Sequence, residues 1–281
     1  MYKLTHLYPE KRAFITGAGS GLGRAMSIEL ASEGWTIGIS DINQAGLDET
    51  EILIKNEGGN SFSDVFDVAN HEKYEEVSND FLNKTGGIDL LINNAGVGDG
   101  CVFGEYSLEN WHWIVGINQM GVVYGCHYFV PVMKKQKSGQ VINIASAAAF
   151  CNMPNMSPYN ITKAAVLSLS ESLYTELRKH NVWVSVVMPT FINTNIMQYS
   201  RGGKKETDTG KHLVGSSSIQ PKTIAEEILK RTGNRKFYIL LPSQAKVVFF
   251  IKRMVPGFFL RLNAKVFDAD KLLRTVYGKK K

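Results

Sequence analysis

Short apolar runs alternate with longer amphipathic stretches along most of the chain, and this alternation predicts strands and helices in turn. The short runs predict strands at 13–16, 35–40, 61–66, 88–94, 140–146, 182–188 and 236–241. The amphipathic stretches favour helices at 22–34, 43–57, 71–84, 159–180 and 221–231, with one or two more within 107–136. No internal repeat or low-complexity linker interrupts this order.

Strands that alternate with helices are typical of βαβ units around a parallel sheet. We therefore predict an α/β fold, a doubly wound Rossmann sheet of about seven parallel strands with helices on both faces. A single domain over residues 1–245 is expected to form it, followed by an extension at 246–281. Such sheets bind ligands at the carboxyl ends of their strands, so residues that follow strands are the candidates for function.

A glycine-rich turn, TGAGSGLG at 16–23, lies between the first predicted strand and the first predicted helix. Gly17, Gly21 and Gly23 permit a tight turn and close approach to a pyrophosphate, and the helix N-terminus offers unpaired N–H groups. Asp41 ends the next strand, where a carboxylate accepts hydrogen bonds from an adenosine ribose and repels a 2′-phosphate. NAD is therefore the expected cofactor. NADP is the minority interpretation, because Arg24, the nearest cation, lies inside the helix.

Each of these acidic and amide residues also has a purely structural interpretation. Asp41 could cap the helix near Asn43, alone or in addition to binding a ribose. Asp67 follows the third strand and could cap the next helix. The tetrad NNAG, 93–96, follows the fourth strand and could be a turn whose side chains hold loops together. Their joint position at successive strand ends favours a shared ligand.

Candidate chemistry lies in the segment SAAAFCNMPNMSPYNITK, which contains Ser146, Tyr159 and Lys163. If a helix begins near Pro158, Tyr159 and Lys163 lie one turn apart on the same face. A nearby cation favours the phenolate and brings tyrosine toward the working range of an acid or base at neutral pH. A Tyr and a Lys at this spacing are also common on solvated helix faces, so the pair alone does not define a site.

Taken together, these motifs resemble the short-chain dehydrogenase/reductase family. TGAGSGLG matches the T-G-x-x-x-G-x-G turn, NNAG the N-N-A-G, and Ser146, Tyr159 and Lys163 the family's Ser and Y-x-x-x-K. Asn118 matches the fourth catalytic position, and PTFINT at 189–194 the segment after the sixth strand, with Thr190 where the family often has glycine. The resemblance covers about Arg12 to Leu241, which is nearly the whole chain outside the extension.

The resemblance implies a role for each matching residue. Tyr159 would exchange a proton with the substrate oxygen, Ser146 would orient that oxygen, Lys163 would lower the tyrosine pKa and bind the nicotinamide ribose, and Asn118 would hold a water near Lys163. Cofactor contacts are implied for Gly17, Ser20, Gly21, Leu22, Gly23, Asp41, Asp67, Val68, Asn94, Ala95, Gly96, Tyr159, Lys163, Pro189, Thr190 and Thr194.

The function expected from these residues is NAD-dependent hydride transfer between nicotinamide and a secondary alcohol or its ketone. One alternative is an NADPH-dependent carbonyl or 3-oxoacyl-thioester reductase. Another is a non-catalytic dinucleotide-binding regulator. Phe103, Phe150, Met153, Met156 and Met197 lie in predicted pocket loops and favour a hydrophobic substrate. The resemblance also suggests a homodimer or homotetramer.

The charge distribution and the cysteine content limit the classes of partner and ligand that the protein is expected to bind. The net charge of +6 is concentrated in 246–281, which alone carries +8, so the remainder is close to neutral and nucleic-acid binding is not expected. The three cysteines, 101, 126 and 151, lack C-x-x-C spacing, so we expect reduced thiols and no metal site. No export signal is evident at the N-terminus, and a cytoplasmic location is expected.

Two segments depart from the regular pattern. Residues 193–218 have little apolar periodicity and are expected to form either a mobile lid at the binding edge or a plain flexible insertion. Residues 245–267 are apolar but interrupted by Lys252, Arg253, Pro256 and Arg261, which excludes a membrane span. They are expected to pack over the pocket or at a subunit interface, to lie on a membrane surface, or to belong to a basic partner-binding tail that ends in GKKK.

Overall fold

A computed structural model describes residues 2–266. Within this range, one parallel sheet contains seven strands: β1 (Arg12–Thr16), β2 (Thr36–Asp41), β3 (Asn60–Val65), β4 (Leu90–Asn93), β5 (Gly139–Ile144), β6 (Val182–Pro189) and β7 (Tyr238–Leu241). The strand order is β3-β2-β1-β4-β5-β6-β7. The predicted α/β doubly wound Rossmann fold of a single domain is confirmed.

Helices cover both faces of this sheet. Those within the described range are α1 (Lys3–Leu7), α2 (Gly21–Ala31), α3 (Gln44–Asn56), α4 (His71–Thr85), α5 (Leu108–Val115), α6 (Gly121–Gln136), α7 (Ala148–Cys151), α8 (Ser157–Leu177), α9 (Lys204–Gly215), α10 (Pro221–Gly233), α11 (Ala245–Met254) and α12 (Pro256–Val266). A π-helical turn, Gly116–Met120, joins α5 to α6, and a 3₁₀ turn, Arg178–His180, follows α8.

The core lies in two layers because the central strands are buried on both faces. Successive residues of β1 alternate between the layers: Phe14 packs with Phe81 and Phe129 on one side, while Ile15 belongs to the cluster on the other. Near-continuous apolar runs are typical of such two-sided strands. The chain reverses its direction of winding between β1 and β4, which are neighbours in the sheet. This reversal opens a crevice at the carboxyl ends of the strands.

The segment 193–218 is more ordered than its sequence predicted. It contains α9 (Lys204–Gly215), a helix that the sequence did not predict, of which Val214 is buried. The expected lid at the binding edge stays a prediction. The helix is polar and contains few apolar residues. It forms because it packs over the crevice. Tertiary contacts of this kind override a weak local signal.

The described part of the C-terminal extension packs against the domain beside α7. Phe249 of α11 contacts Phe150 at a ring-centroid distance of 5.1 Å and Tyr238 at 5.4 Å. Asn263 of α12 donates a hydrogen bond from Nδ2 to the Cys151 carbonyl, and Phe259 is buried. The extension therefore supports the short helix that follows Ser146. The terminal GKKK lies outside the described residues.

The predicted location, cytoplasmic with membrane association through the extension, is corrected. Among the described helices, none has both the length and the apolarity needed to cross a bilayer. Within the segment to which the membrane interpretation applied, Phe249 packs on Phe150, Phe259 is buried and Asn263 donates to the Cys151 carbonyl. That interpretation of residues 245–267 is therefore withdrawn.

Candidate active site

The glycine-rich turn forms a backbone cradle at the N-terminus of α2. Gly17 and Gly21 have positive φ angles of 66° and 53°, which favour glycine. A Cβ atom at Gly17 would lie 2.7 Å from the Ala95 Cα, and one at Gly23 would lie 2.2 Å from the Gly17 carbonyl oxygen. Ser20 is the extended residue before α2, and its side chain makes no cap hydrogen bond. The turn therefore presents free backbone N–H groups to an anion.

Asn94 of the NNAG tetrad holds this turn in place. Its Nδ2 donates to the carbonyl oxygens of Thr16 and Gly17, both at 2.9 Å. The Thr16 hydroxyl in turn accepts from the backbone N–H groups of Asn94 and Ala95, both at 3.1 Å. The tetrad is thus a brace for the cradle as well as part of the cavity wall. Sequence reasoning missed Thr16, although a threonine that ends a strand beside the turn is a visible signal.

Asp41 lies at the cradle rim with its carboxylate toward the turn. Oδ2 accepts from the Gly19 N–H at 2.9 Å, and Oδ1 accepts from the Asn43 N–H at 3.1 Å. The N-cap of α3 is Asn43, whose side chain accepts from Gly46 N. Asn43 and not Asp41 therefore caps the helix, and Asp41 lines the cavity.

The guanidinium of Arg24 is held by hydrogen bonds and an ion pair between α2 and α3. Its guanidinium donates to the carbonyl oxygens of Gly19 and Gly46 and to the Thr50 hydroxyl, and it pairs with Glu49 at 2.8 Å. Because these contacts fix the side chain between α2 and α3, Arg24 would have to break them to reach a 2′-phosphate.

Asp67 and Val68, which follow β3, line the same cavity. The Asp67 Oδ1 accepts from the Ala69 N–H at 2.9 Å, whereas the N-cap of α4 is Asn70. The alternative that Asp67 merely caps α4 is therefore wrong. Its exposed carboxylate retains free acceptor sites, and the neighbouring Val68 offers a buried apolar surface.

Lys163 is a buried cation at the centre of the cavity wall, with 2% of its surface exposed. Its Nζ donates to the Ile144 carbonyl at 3.0 Å and lies 5.7 Å from the Tyr159 ring centroid. Burial lowers the pKa of Lys163 to about 8, because the ammonium loses hydration. At pH 7 the charged form still predominates, so the site carries a cation beside the phenol.

Tyr159 and Ser146 are the polar groups adjacent to this cation. Burial raises the pKa of Tyr159, and a hydrogen bond from Ser146 opposes that rise because it favours the phenolate. The Ser146 Oγ also accepts from the Ala148 N–H at 3.1 Å, which fixes the hydroxyl at the start of α7. The solvated-face interpretation of the Tyr/Lys pair is wrong, since both residues are buried.

Asn118 lies in the π-helical turn between α5 and α6, a distortion that is frequent at functional sites. Its Oδ1 accepts from the Val97 N–H at 2.8 Å, and its Nδ2 donates to the Val97 carbonyl at 2.9 Å and to the Thr162 hydroxyl at 3.3 Å. The amide thus ties the loop after NNAG to the helix that carries Tyr159 and Lys163.

The end of β6 completes the cavity. The Pro189 carbonyl accepts from the Ala147 N–H at 2.8 Å, and the Thr190 N–H donates to the Leu241 carbonyl at 2.9 Å. The Thr194 side chain approaches the glycine-rich turn, because a Cβ at Gly21 would lie 3.3 Å from it. All three residues line the cavity.

One cavity of about 690 Å³ connects the cradle, the Tyr159 cluster and an apolar chamber beneath α9. Nonpolar side chains line much of the chamber: Val97, Trp113, Ala148, Met153, Met156, Phe191, Ile196, Met197, Leu213 and Val214. Polar and charged residues of the same segments also line it: Asp99, Asn155, Asn195, Gln198, Tyr199, Arg201, Lys205, Glu206 and Thr209. Phe103 and Phe150, which the sequence placed here, are absent from the lining. Phe103 is 79% exposed, and Phe150 is buried against Phe249.

The arrangement fits a dinucleotide cofactor. A turn with free N–H groups, a carboxylate at its rim and a buried lysine share one continuous cavity. The family model for short chain dehydrogenases matches residues 11–205. The chain belongs to this family.

Relatives and solved structures similar to this chain include reductases and dehydrogenases. A 3-oxoacyl-[acyl-carrier-protein] reductase, FabG of Thermotoga maritima, is 29% identical over 82% of this chain and 93% of its own length. A short-chain dehydrogenase from Burkholderia phymatum in complex with NAD is 30% identical with a TM-score of 0.83, covering 88% of this chain and 94% of that one. An alcohol dehydrogenase from Thermococcus sibiricus with 5-hydroxy-NADP is 25% identical with a TM-score of 0.72, covering 82% and 95%. Structural neighbours thus bind either NAD or NADP.

The chain spans 43% of the length of the Mycobacterium tuberculosis relative it matches, which is named probable oxidoreductase EphD. That relative is 29% identical over 86% of this chain.

Proposed function

We propose that this protein is an NAD(H)-dependent oxidoreductase that interconverts a secondary alcohol with a hydrophobic body and its ketone. The observation that carries the proposal is the position of Tyr159, Ser146 and Lys163, which lie where the nucleotide cradle meets the apolar chamber. A substrate oxygen at Tyr159 would place the remaining atoms among nonpolar side chains.

The family's matching residues would hold the cofactor in this cavity. The turn at Gly17–Gly23 would bind the pyrophosphate, Asp41 the adenosine ribose, Asp67 and Val68 the adenine, and Lys163 the nicotinamide ribose. Asn94, Ala95 and Gly96 would flank the ribose, and Pro189, Thr190 and Thr194 the nicotinamide end. When bound, NAD supplies the hydride acceptor.

Proton transfer would be the work of the protein's own side chains. Tyr159 would take the proton of the alcohol in oxidation and return it in reduction. Ser146 would orient the oxygen, and the Lys163 ammonium would favour the phenolate because it lies 5.7 Å from the ring. Asn118 would position Lys163 indirectly, through the hydrogen bond of its amide to Thr162 on the same helix.

Turnover of an alcohol panel with NAD tests this function. We expect NADH formation to be fastest with secondary alcohols that carry long apolar chains and slow with sugars of similar size, because ten nonpolar side chains line the chamber beside Tyr159. The measurement is NADH absorbance under initial-rate conditions. Faster reduction of a 3-oxoacyl thioester with NADPH would favour the alternative that the FabG relative suggests. Absence of turnover on the whole panel, despite tight NAD binding, would favour a binding role.

The Asp41→Asn variant tests the choice of cofactor. Asparagine keeps an acceptor for the Gly19 N–H but removes the charge that repels a 2′-phosphate. We expect the ratio of kcat/KM for NADP to that for NAD to rise about 10- to 100-fold, which corresponds to the loss of one charge repulsion.

The matched control is Asp48→Asn, an exposed carboxylate on α3. That variant should leave the ratio unchanged. Wild-type protein that binds NADPH more tightly than NADH in a fluorescence titration would contradict the role of Asp41.

A further inference from the structure

A fully buried carboxylate, Asp99, lies in the loop after NNAG and has no part in the proposed chemistry. Five donors point to it. Its Oδ1 accepts from the backbone N–H of Gly100 at 2.9 Å, from the Ser200 hydroxyl at 2.7 Å and from the Gly202 N–H at 2.8 Å. Its Oδ2 accepts from the Tyr106 hydroxyl at 2.5 Å and from the Arg201 N–H at 3.2 Å.

Three of these donors come from a second segment of the cavity wall. We call residues 196–203 the wall segment, since it follows β6 and leads into α9 over the apolar chamber. It lies close to the Asp99 loop. Gly98 N–H donates to the Ile196 carbonyl at 2.7 Å, and Gly203 N–H donates to the Gly100 carbonyl at 3.0 Å. A Cβ at Gly202 would lie 2.0 Å from the Gly100 oxygen, so the two backbones are in direct contact.

Arg201 is held from three directions. Its backbone N–H donates to Asp99, its carbonyl accepts from Asn110 Nδ2 at 3.3 Å, and its guanidinium lies 4.3 Å from the centroid of the Trp113 ring. Trp113 and Met197 both line the chamber. The hydrogen bonds of Asp99 are thereby connected to apolar side chains that a substrate would touch.

A buried carboxylate is costly unless it is fully hydrogen-bonded, and bonds to a charged acceptor are stronger than neutral ones. The charge of Asp99 is therefore stabilised only while the wall segment stays against the loop. If the segment moves away, the carboxylate loses three donors at once. This dependence makes the closed arrangement of the wall the favoured one.

We propose that Asp99 is the positioning residue that holds the wall segment over the apolar chamber and so sets the enzyme's affinity for substrate. The proposal rests on the proposed function, because it assigns the chamber to the substrate. Asp99 touches neither the cradle nor Tyr159 through any hydrogen bond among the described residues. Its effect should therefore fall on the substrate and not on the cofactor.

Steady-state kinetics of Asp99→Asn and Asp99→Ala test the proposal. Asparagine replaces one acceptor oxygen by an NH₂ group. This donor would face either the Arg201 N–H or the donors that bind Oδ1 in the wild type, so hydrogen bonds to the wall segment are lost. We expect KM for the preferred apolar alcohol to rise about tenfold in Asp99→Asn and further in Asp99→Ala. We expect kcat and the dissociation constant of NADH to stay within about twofold of the wild-type values. Ser200→Ala, which removes one donor, should raise KM in the same direction by less.

Limited trypsin digestion tests the same contacts without any substrate. Arg201, Lys204 and Lys205 are exposed residues of the wall segment and the start of α9. Cleavage after them should be about tenfold faster in Asp99→Asn than in wild type, since the peptide bonds must leave the wall to enter the protease. The control is Asp48→Asn, an exposed carboxylate of α3, which should leave both KM and the cleavage rate unchanged.

The two readouts separate failure of this proposal from failure of the proposed function. If the Asp99 variants are cleaved faster but the wild-type protein turns over no alcohol, the role of Asp99 in holding the wall segment is supported and the proposed alcohol substrate is rejected. Unchanged cleavage together with unchanged KM would overturn the role of Asp99. A fall in kcat and in NADH affinity, with KM unchanged, would show a general structural role and would equally overturn it.

Discussion

Replacement of Tyr159 by phenylalanine is expected to lower kcat/KM for the alcohol by a factor on the order of 10³, because it removes the group that exchanges the proton with the substrate oxygen. The ring remains, so the packing of this buried position is retained. The Ser146 hydroxyl and the Lys163 ammonium stay in place but have no titratable partner. NAD affinity should change little, since the cradle is untouched.

Initial rates and a fluorescence titration with NADH measure these two quantities. The matched control is Tyr174→Phe, which removes a hydroxyl from the same helix. The Tyr174 ring packs on Phe237 and does not line the cavity. That variant should keep wild-type turnover. Undiminished kcat/KM in Tyr159→Phe would eliminate the mechanism proposed above.

The second large effect is expected for Lys163→Met, which should lose most turnover and at the same time stabilise the folded protein. Turnover falls because no cation remains to favour the phenolate or to bind the nicotinamide ribose. Stability rises because burial lowers the pKa of Lys163 to about 8 from an ordinary value near 10.5, so the folded state holds a charge it disfavours.

The size of the stability change follows from this shift. A shift of this magnitude corresponds to about 3 kcal/mol, and loss of the hydrogen bond to Ile144 offsets about 1 kcal/mol of it. We expect Lys163→Met to gain about 2 kcal/mol in the free energy of unfolding at pH 7. A buried lysine retained at such a cost is typical of a functional position.

The gain should depend on pH with a definite sign. Below the folded pKa of about 8, both states of the wild type are protonated at Lys163 and the full penalty applies. Between about 8 and 10.5 the unfolded state binds the proton and the folded state does not, so wild-type stability rises relative to the variant. The advantage of Lys163→Met should therefore shrink as pH is raised above 8.

Urea unfolding of both proteins at several pH values measures this difference. The control Lys179→Met changes an exposed lysine and should alter stability little at any pH. A Lys163→Met protein that is less stable than wild type at pH 7 would contradict a buried, destabilising ammonium.

Much of the site is visible in the sequence because its residues act through local geometry. The spacing of Tyr159 and Lys163 places them one turn apart on the same face once the segment from Pro158 is helical. The glycines at 17, 21 and 23 require a tight turn by themselves, and their position between an apolar run and an amphipathic one fixes the edge of the sheet at which they lie. For the same reason Asp41 and Asp67 were predicted at successive strand ends, where the structure has them.

The remaining features depend on contacts between segments far apart in the chain, which no local pattern encodes. Asp99 is buried and hydrogen-bonded to a second segment only because residues 200–202, about a hundred positions later, fold back onto it. The polar helix α9 has too few apolar residues for its periodicity to show, and its place over the chamber stabilises it.

The sequence by itself therefore determined the doubly wound sheet, the cradle and the Tyr159–Lys163 pair, since local patterns of apolar, glycine and helix-spaced residues indicate each of them. Only the tertiary structure decided that Arg24 is occupied, that Phe150 faces the C-terminal helix and not the pocket, and that the wall segment closes over the chamber. The reason is physical. Burial and hydrogen-bond partners are properties of the packed chain, and they exist only after distant segments meet.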